Sequence, residues 1–275
     1  SKKLDLSSIK IITSTGSPLA EESFKYVYKN IKRDVHLASI AGGTDLVGCL
    51  VLGNLYSNVH KGEIQGQSLG IDVDVFTDNG KSTKDGDKGE LVVKKPFPSM
   101  PVKFWGDNDG QKYHKAYFTR FENIWHHGDF IERTSNNGFI MRGRSDSTLN
   151  PGGVRIGTSE IYQQVEDIDF ITEGLVVGQN FNDDVRIILF VTTKNNQELN
   201  EEKVKYIKSR IRANCSPKHV PSIIIKVPAI PRTKSGKIVE LAVRKIIHGE
   251  PINNKEAIAN PEVLEYFENL PQLKL

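Results

Sequence analysis

Short β-branched runs alternate with turn chemistry through the first part of the chain. Residues 9–13 predict a strand, and Thr15-Gly16-Ser17-Pro18 a tight loop after it. Leu19, Phe24, Val27, Tyr28 and Ile31 then recur at roughly helical spacing, and Glu21 and Glu22 stand where a first helical turn favours acidic residues. Residues 35–41 predict another strand, ending at Gly42-Gly43. Strand, loop, helix, strand is the alternation of a layered α/β domain.

From residue 71 the period changes. Residues 71–75 alternate strictly, Asp78-Asn79-Gly80 turns, and residues 89–93 resume, which predicts antiparallel β structure. A second hairpin is expected from residues 130–132 and 139–141 around Asn136-Asn137-Gly138. Between residues 143 and 150 the apolar pattern lapses, so a boundary is placed there, with domains at 1–144 and 145–275. Beyond it a compact α+β unit is predicted. Its helices fall at 159–168, 201–213 and 239–247, and its strands at 175–178, 185–192 and 222–227. Pro217, Pro221, Pro228 and Pro231 flank the last strand and keep it short.

Composition narrows the function classes. The 275 residues carry 37 Lys+Arg against 34 Asp+Glu, a balance that gives no electrostatic case for a nucleic-acid or membrane partner. The stretch 46–55, interrupted by Gly and Asn, is far short of the about 20 apolar residues that span a bilayer. Cys49 and Cys215 fit neither a zinc spacing nor a disulfide framework, so a reducing, cytoplasmic compartment is expected. The start Ser1-Lys2-Lys3-Leu4-Asp5 has no signal-peptide core and no initiator Met, and the natural amino terminus is expected upstream.

Several short motifs could carry chemistry, each beside a plainer reading. Pro231-Arg232-Thr233-Lys234-Ser235-Gly236-Lys237 fails the phosphate-loop pattern, because Pro231 stands where its first Gly belongs. It could still aim Lys237 at a phosphate as a point charge, or be a solvated basic turn. His126 and His127 are strand neighbours facing opposite sides and lack the further ligands of a metal site. Gly128-Asp129, read as a strand end, could accept hydrogen bonds from ribose hydroxyls or form an Asx-type turn. Gly42-Gly43-Thr44-Asp45 could bring backbone, a hydroxyl and a carboxylate to a phosphate and a divalent cation, or mark only a turn.

The order of these fragments resembles the adenylate-forming acyl-CoA synthetase family: Gly-Ser-Pro, Gly-Gly-Thr-Asp, Gly-Asp, Gly-Arg-x-Asp, Gly-x-Arg-Ile…Glu-Ile, Ser-Gly-Lys. Phe104-Trp105-Gly106-Asp107, Trp125-His126-His127-Gly128-Asp129-Phe130, the run 143–162 and the tail 260–275 look most like the family's acetoacetate-using branch. The implied fold is the C-terminal part of a large layered α/β domain with a β-barrel-like portion, followed by a small mobile α+β domain. The implied reaction joins a carboxylate to CoA at the expense of ATP, through an acyl-adenylate, releasing AMP and diphosphate.

By the same resemblance Gly16, Ser17 and Pro18 line the adenine pocket and Thr44 meets the α-phosphate. Asp45 approaches Mg2+, where the family more often has Glu. Asp129 and Arg144 hold the ribose, Arg155 meets nucleotide phosphate, and Lys237 is the catalytic lysine of the adenylation step. Asp146 is the hinge about which the small domain rotates, Gly153 lets the pantetheine arm pass, and Arg212 is a weaker candidate for a CoA phosphate. Acetate-using members close the acyl pocket with a Trp in the loop that here holds Gly42 and Gly43, which implies room for acetoacetate. The family's main phosphate loop, ending in Pro-Lys, belongs upstream of residue 1; Leu19 stands where its Lys would be. The chain is therefore expected to be part of a longer synthetase, inactive alone. The alternatives are a non-catalytic nucleotide-binding fragment and a synthetase for another short carboxylate such as acetate or butyrate.

Overall fold

The structure, a computed structural model, describes residues 4–252 and 255–274; Ser1-Lys2-Lys3, part of the amino-terminal reading above, lie outside them. The chain divides into two compact units, Ser1–Arg142 and Gly143–Leu275.

In the first unit β1 (Ile11–Ser14) and β2 (His36–Ser39) pair in parallel, Ile11 opposite His36 and Ser14 opposite Ser39. A parallel pair needs a crossover, and α1 (Glu21–Tyr26) with the turn after it supplies one. The predicted single helix 19–31 is shorter at its start and changes winding. Over Val27–Ile31 the coil widens, and the Lys32 N–H reaches the Val27 carbonyl five residues back at 3.0 Å.

Next come β3 (Ala41–Gly43), β4 (Gly48–Leu52) and β5 (Gly66–Gln67), an antiparallel sheet in that order. The interrupted stretch 46–55 thus becomes a turn and a strand, with Leu46, Leu50 and Val51 fully buried. A four-stranded sheet follows from β6 (Val73–Phe76), β7 (Lys88–Val93), β8 (Trp125–Arg133) and β9 (Phe139–Arg144), with α2 (Gln111–Tyr117) inserted before β8. The turn before β9 places Asn137 at φ 59°, which suits an Asn, and the Thr134 N–H closes it on Gly138 at 3.0 Å. Both antiparallel sheets feed one core, in which Leu50 and Val51 meet Val75, Leu91, Trp125 and Ile131.

The second unit is a three-layer sandwich. β10 (Ile171–Phe181) pairs antiparallel with β11 (Asp184–Thr193), which pairs in parallel with β12 (Ile223–Lys226). Alternate residues of β11 enter different cores. Ile187, Leu189 and Val191 pack under α3 (Thr158–Val165) and α4 (Glu201–Asn214), against Ile161, Val165, Ile207 and Ile211. Ile188 and Phe190 face the other way, against Val243 of α5 (Glu240–Ile247) and Phe267 of the carboxyl-terminal turns. Burial on both faces explains why this strand reads as an unbroken apolar run.

Candidate active site

The loop 15–18 leaves the carboxyl end of β1, and the segment 40–45 leaves the carboxyl end of β2. The Ile40 N–H bonds the Ser14 carbonyl at 2.9 Å, so two motifs far apart in sequence start from one edge of the parallel pair. Ligands of α/β sheets bind beyond such carboxyl ends. Gly16, Ser17 and Pro18 are exposed there, and Gly16 sits at φ 94°, a conformation that favours glycine.

Gly42 and Gly43 lie within β3, not after it; Thr44 and Asp45 form the exposed turn into β4. A Cβ at residue 42 would run into the Gly48 carbonyl and lie near the Cys49 Cα, because the facing strand approaches closely. The glycine is thus explained by the hairpin: a side chain at residue 42 would meet β4 backbone before it reached an acyl pocket. A Cβ at residue 43 would overlap the Asp45 carboxylate and come within 3.0 Å of His127 Cε1. Gly43, Asp45 and His127 therefore share one locality.

That locality extends to Asp129. Gly128-Asp129 is not a strand end but lies inside β8, at an irregularity in the register. Glu90 pairs with Phe130 and Val92 with His126, so three residues of β8 oppose Leu91 alone. Gly128 takes φ 83° in this bulge, and a bulge re-aims the side chains beside it. The Trp125 indole N–H donates to His127 Nδ1 at 3.4 Å, which leaves the ring's Nε2 to face Asp129 Oδ2 at 3.7 Å. His127 and Asp129 are both buried, with the imidazole facing the carboxylate. Among the described residues no group of three or more His, Cys, Asp or Glu could hold a metal.

Tyr117 completes the arrangement and has no signature in the sequence. Its ring stacks on Trp125 with centroids 3.6 Å apart, and its hydroxyl donates to Asp45. His126, on the outer side of the bulge, bonds buried Glu90 at 2.8 Å. Gly43, Asp45, Tyr117, Trp125, His127 and Asp129 are thus linked through space, and of these only Tyr117 belongs to no motif read from the sequence.

The second unit carries the remaining motif residues. Arg144 is exposed, with Nε 3.9 Å from Asp146 Oδ1. Asp146 occupies a 3-10 turn (Ser145–Ser147), and its carbonyl accepts from Arg244 Nη1 at 3.3 Å. Mutual bonds of 2.9 Å between Leu149 and Ile156 close a loop with Gly152 and Gly153 at its tip and half-buried Arg155 on its return side. Arg212 is exposed in the last turn of α4.

Lys237 lies in a tight turn. The Gly236 N–H donates to the Thr233 carbonyl at 2.8 Å, and the Lys237 N–H to Thr233 Oγ1 at 3.1 Å. Arg232 bonds the Gly236 carbonyl at 2.6 Å and is ion-paired to Glu173 of β10. The backbone under Lys237 is fixed while its side chain stays in solvent. A fixed stem with a solvated ammonium suits a group that meets an anionic ligand from outside.

No family model matches the chain. Among curated proteins it is 59% identical over 270 residues to an acetoacetyl-coenzyme A synthetase of Rhizobium meliloti, covering 98% of this chain and 41% of that protein. It is 45% identical over 272 residues to acetoacetyl-CoA synthetase of Gallus gallus, with the same coverages. In solved structures it superposes on acetoacetyl-CoA synthetase from Streptomyces lividans with a TM-score of 0.89 at 38% identity, covering 98% of this chain and 42% of that one. An anthranilate CoA ligase bound to anthranoyl-AMP shares the fold, with a TM-score of 0.73 at 19% identity. The chain spans about two fifths of the length of these acetoacetyl-CoA relatives. With such identity over nearly its whole length, on a mixed α/β fold of the same arrangement, the chain belongs to the adenylate-forming acyl-CoA synthetases, as the counterpart of their C-terminal portion.

Proposed function

We propose that the protein containing this chain ligates acetoacetate to CoA, consuming ATP and releasing AMP and diphosphate. A carboxylate oxygen of acetoacetate attacks the α-phosphorus and diphosphate leaves; the CoA thiol sulfur then attacks the acyl carbonyl and AMP leaves. The observation that carries the proposal is the gathering of Gly43, Asp45 and Asp129 around Tyr117, Trp125 and His127, in a chain 59% identical to an acetoacetyl-CoA synthetase.

In this reading the loop 16–18 cradles adenine and Thr44 donates its hydroxyl to the α-phosphate. Asp129, oriented by His127, accepts from a ribose hydroxyl, with Arg144 as the second ribose contact and Arg155 on phosphate. Anchoring the nucleoside sets phosphorus in line with the attacking oxygen, and positioning is most of what phosphoryl-type displacement asks of a protein. Mg2+ arrives with ATP. One carboxylate plus substrate phosphates is the usual protein share of its coordination, and Asp45 supplies that carboxylate on an exposed turn. Residues 1–144 are the C-terminal part of the nucleotide- and acyl-binding domain, and residues 145–275 a small domain that turns about Asp146 to exchange Lys237 for the Gly153 loop. Lys237 stabilises the charge shared by carboxylate and α-phosphate. The partners are small molecules, and the setting is the cytosol.

The test uses the full-length protein. Acetoacetate-dependent exchange of diphosphate into ATP, followed by CoA-dependent release of AMP, is the expected result, with higher kcat/KM for acetoacetate than for acetate or butyrate. Nucleotide binding with no exchange for any of the three acids would replace this reading with a non-catalytic module.

A further inference from the structure

We propose that Asp184 is a positioning residue for the Gly152-Gly153 loop and thereby for the CoA-dependent step; the inference rests on the synthetase reading above. Asp184 is the first residue of β11, on the far side of a two-residue hairpin loop in which Asn182 and Asp183 both take positive φ, 49° and 60°. This is the compact turn whose twist matches paired strands, so the residue after it is held firmly. From there the Asp184 carboxylate reaches 32 positions back along the chain. Its Oδ1 accepts the Gly152 N–H at 2.7 Å and the Val185 N–H at 2.7 Å. These two donors, with the Lys218 ammonium nearby, hold its pKa below the ordinary carboxylate value, so it is an anion at neutral pH.

The two glycines of the loop have different surroundings. Gly152, at φ 57°, is exposed but flanked: a Cβ there would overlap Lys218 Nζ and lie 3.9 Å from Asp184 Oδ2. Gly153, at φ 77°, is open, with nothing within 4 Å of the same point. Asp184 and Lys218 therefore clamp one side of the loop tip, and the other is left clear. Left-handed glycines have little conformational preference of their own, so an anchored N–H decides the loop's shape. If Gly153 is where the pantetheine arm passes, Asp184 holds that passage open without touching the nucleotide or Lys237.

The test compares Asp184→Ala and Asp184→Asn in the full-length protein. Asn keeps an oxygen acceptor for both N–H groups. Asp184→Ala should raise KM for CoA about tenfold, the scale of one charge-assisted hydrogen bond, while acetoacetate-dependent diphosphate exchange stays within about twofold of wild type. Asp184→Asn should restore most of the CoA KM. Hydrogen exchange of the peptide 149–156 should quicken in Asp184→Ala and recover in Asp184→Asn, and this readout needs no activity. An unchanged CoA KM, an equal fall in both half-reactions, or unchanged exchange in 149–156 would each overturn the proposal. If wild type itself shows no diphosphate exchange, the synthetase reading fails separately, and with it the link from this anchor to CoA.

Discussion

The hydroxyl of Tyr117 donates to the carboxylate of Asp45 across 72 positions of chain, and the same tyrosine ring lies flat on Trp125. One aromatic side chain thus ties the turn after β3 to the bulged strand that carries Asp129. Removing the hydroxyl while keeping the stack, as in Tyr117→Phe, frees Asp45 to adopt other rotamers. Expected in the full-length protein are a higher Mg2+ requirement for diphosphate exchange and a stability loss of about 1 kcal/mol, the net worth of one hydrogen bond. A Mg2+ titration of exchange rate checks it; an unshifted midpoint would separate Asp45 from the metal.

Lys237 sits on a braced turn with a solvated side chain, so its replacement should leave the fold intact. Lys237→Ala is expected to cut adenylation at least about a hundredfold, the scale for losing one preorganised electrostatic stabiliser. Thioester formation from preformed acetoacetyl-adenylate should persist. Stopped-flow assays of the two half-reactions decide, and equal losses would argue that the turn matters only structurally.

Gly42 faces backbone across the β3–β4 hairpin. Gly42→Ala should therefore cost about 1–3 kcal/mol by overpacking, visible as a lower melting temperature. Gly42→Trp should lose acetoacetate and acetate activity together instead of exchanging one for the other. A variant that folds like wild type and gains acetate activity would place residue 42 at the acyl group after all.

Glu240 begins α5, half-buried, where it accepts from the Tyr162 hydroxyl at 2.5 Å. Burial pushes its pKa up, and the hydroxyls of Tyr162, Ser147 and Thr158 offset only part of that. A folded-state pKa above the unfolded value of about 4.5 means that the folded protein holds the proton more tightly. The associated stability is complete below that value and is lost as pH rises through the folded pKa. Glu240→Gln cannot titrate, so its melting temperature should gain on wild type as pH climbs from about 4.5 to 7. A constant difference across that range would show that the carboxyl is not perturbed.

Much of the fold was legible because local rules decided it. Apolar runs, prolines and turn residues located the strands and helices of the second unit to within a few positions, including the two-faced run of β11. The first unit was less so. The apolar stretch 46–55 did not announce β4, and the helical period of 19–31 did not show the wider turn at Val27–Ile31. Both depend on what packs against them, which no short window contains.

The motif order by itself determined the family, since six short signatures in one sequence constrain one another even where each is weak. Which of their residues meet was decided by tertiary structure alone. Asp45, Tyr117 and His127 come together because the turn after β3 packs against the bulged strand β8 and the tyrosine that stacks on it, segments more than seventy positions apart. Tyr117 carries no spacing signal because its partner lies 72 positions away. Gly42 read as an empty place for substrate until the facing strand was seen to fill it. Asp184 was invisible for the same reason: its role comes from a hairpin tip reaching a glycine N–H that only folding brings within 2.7 Å. Sequence patterns record what each segment prefers locally, whereas contacts between distant segments exist only once the whole core has formed.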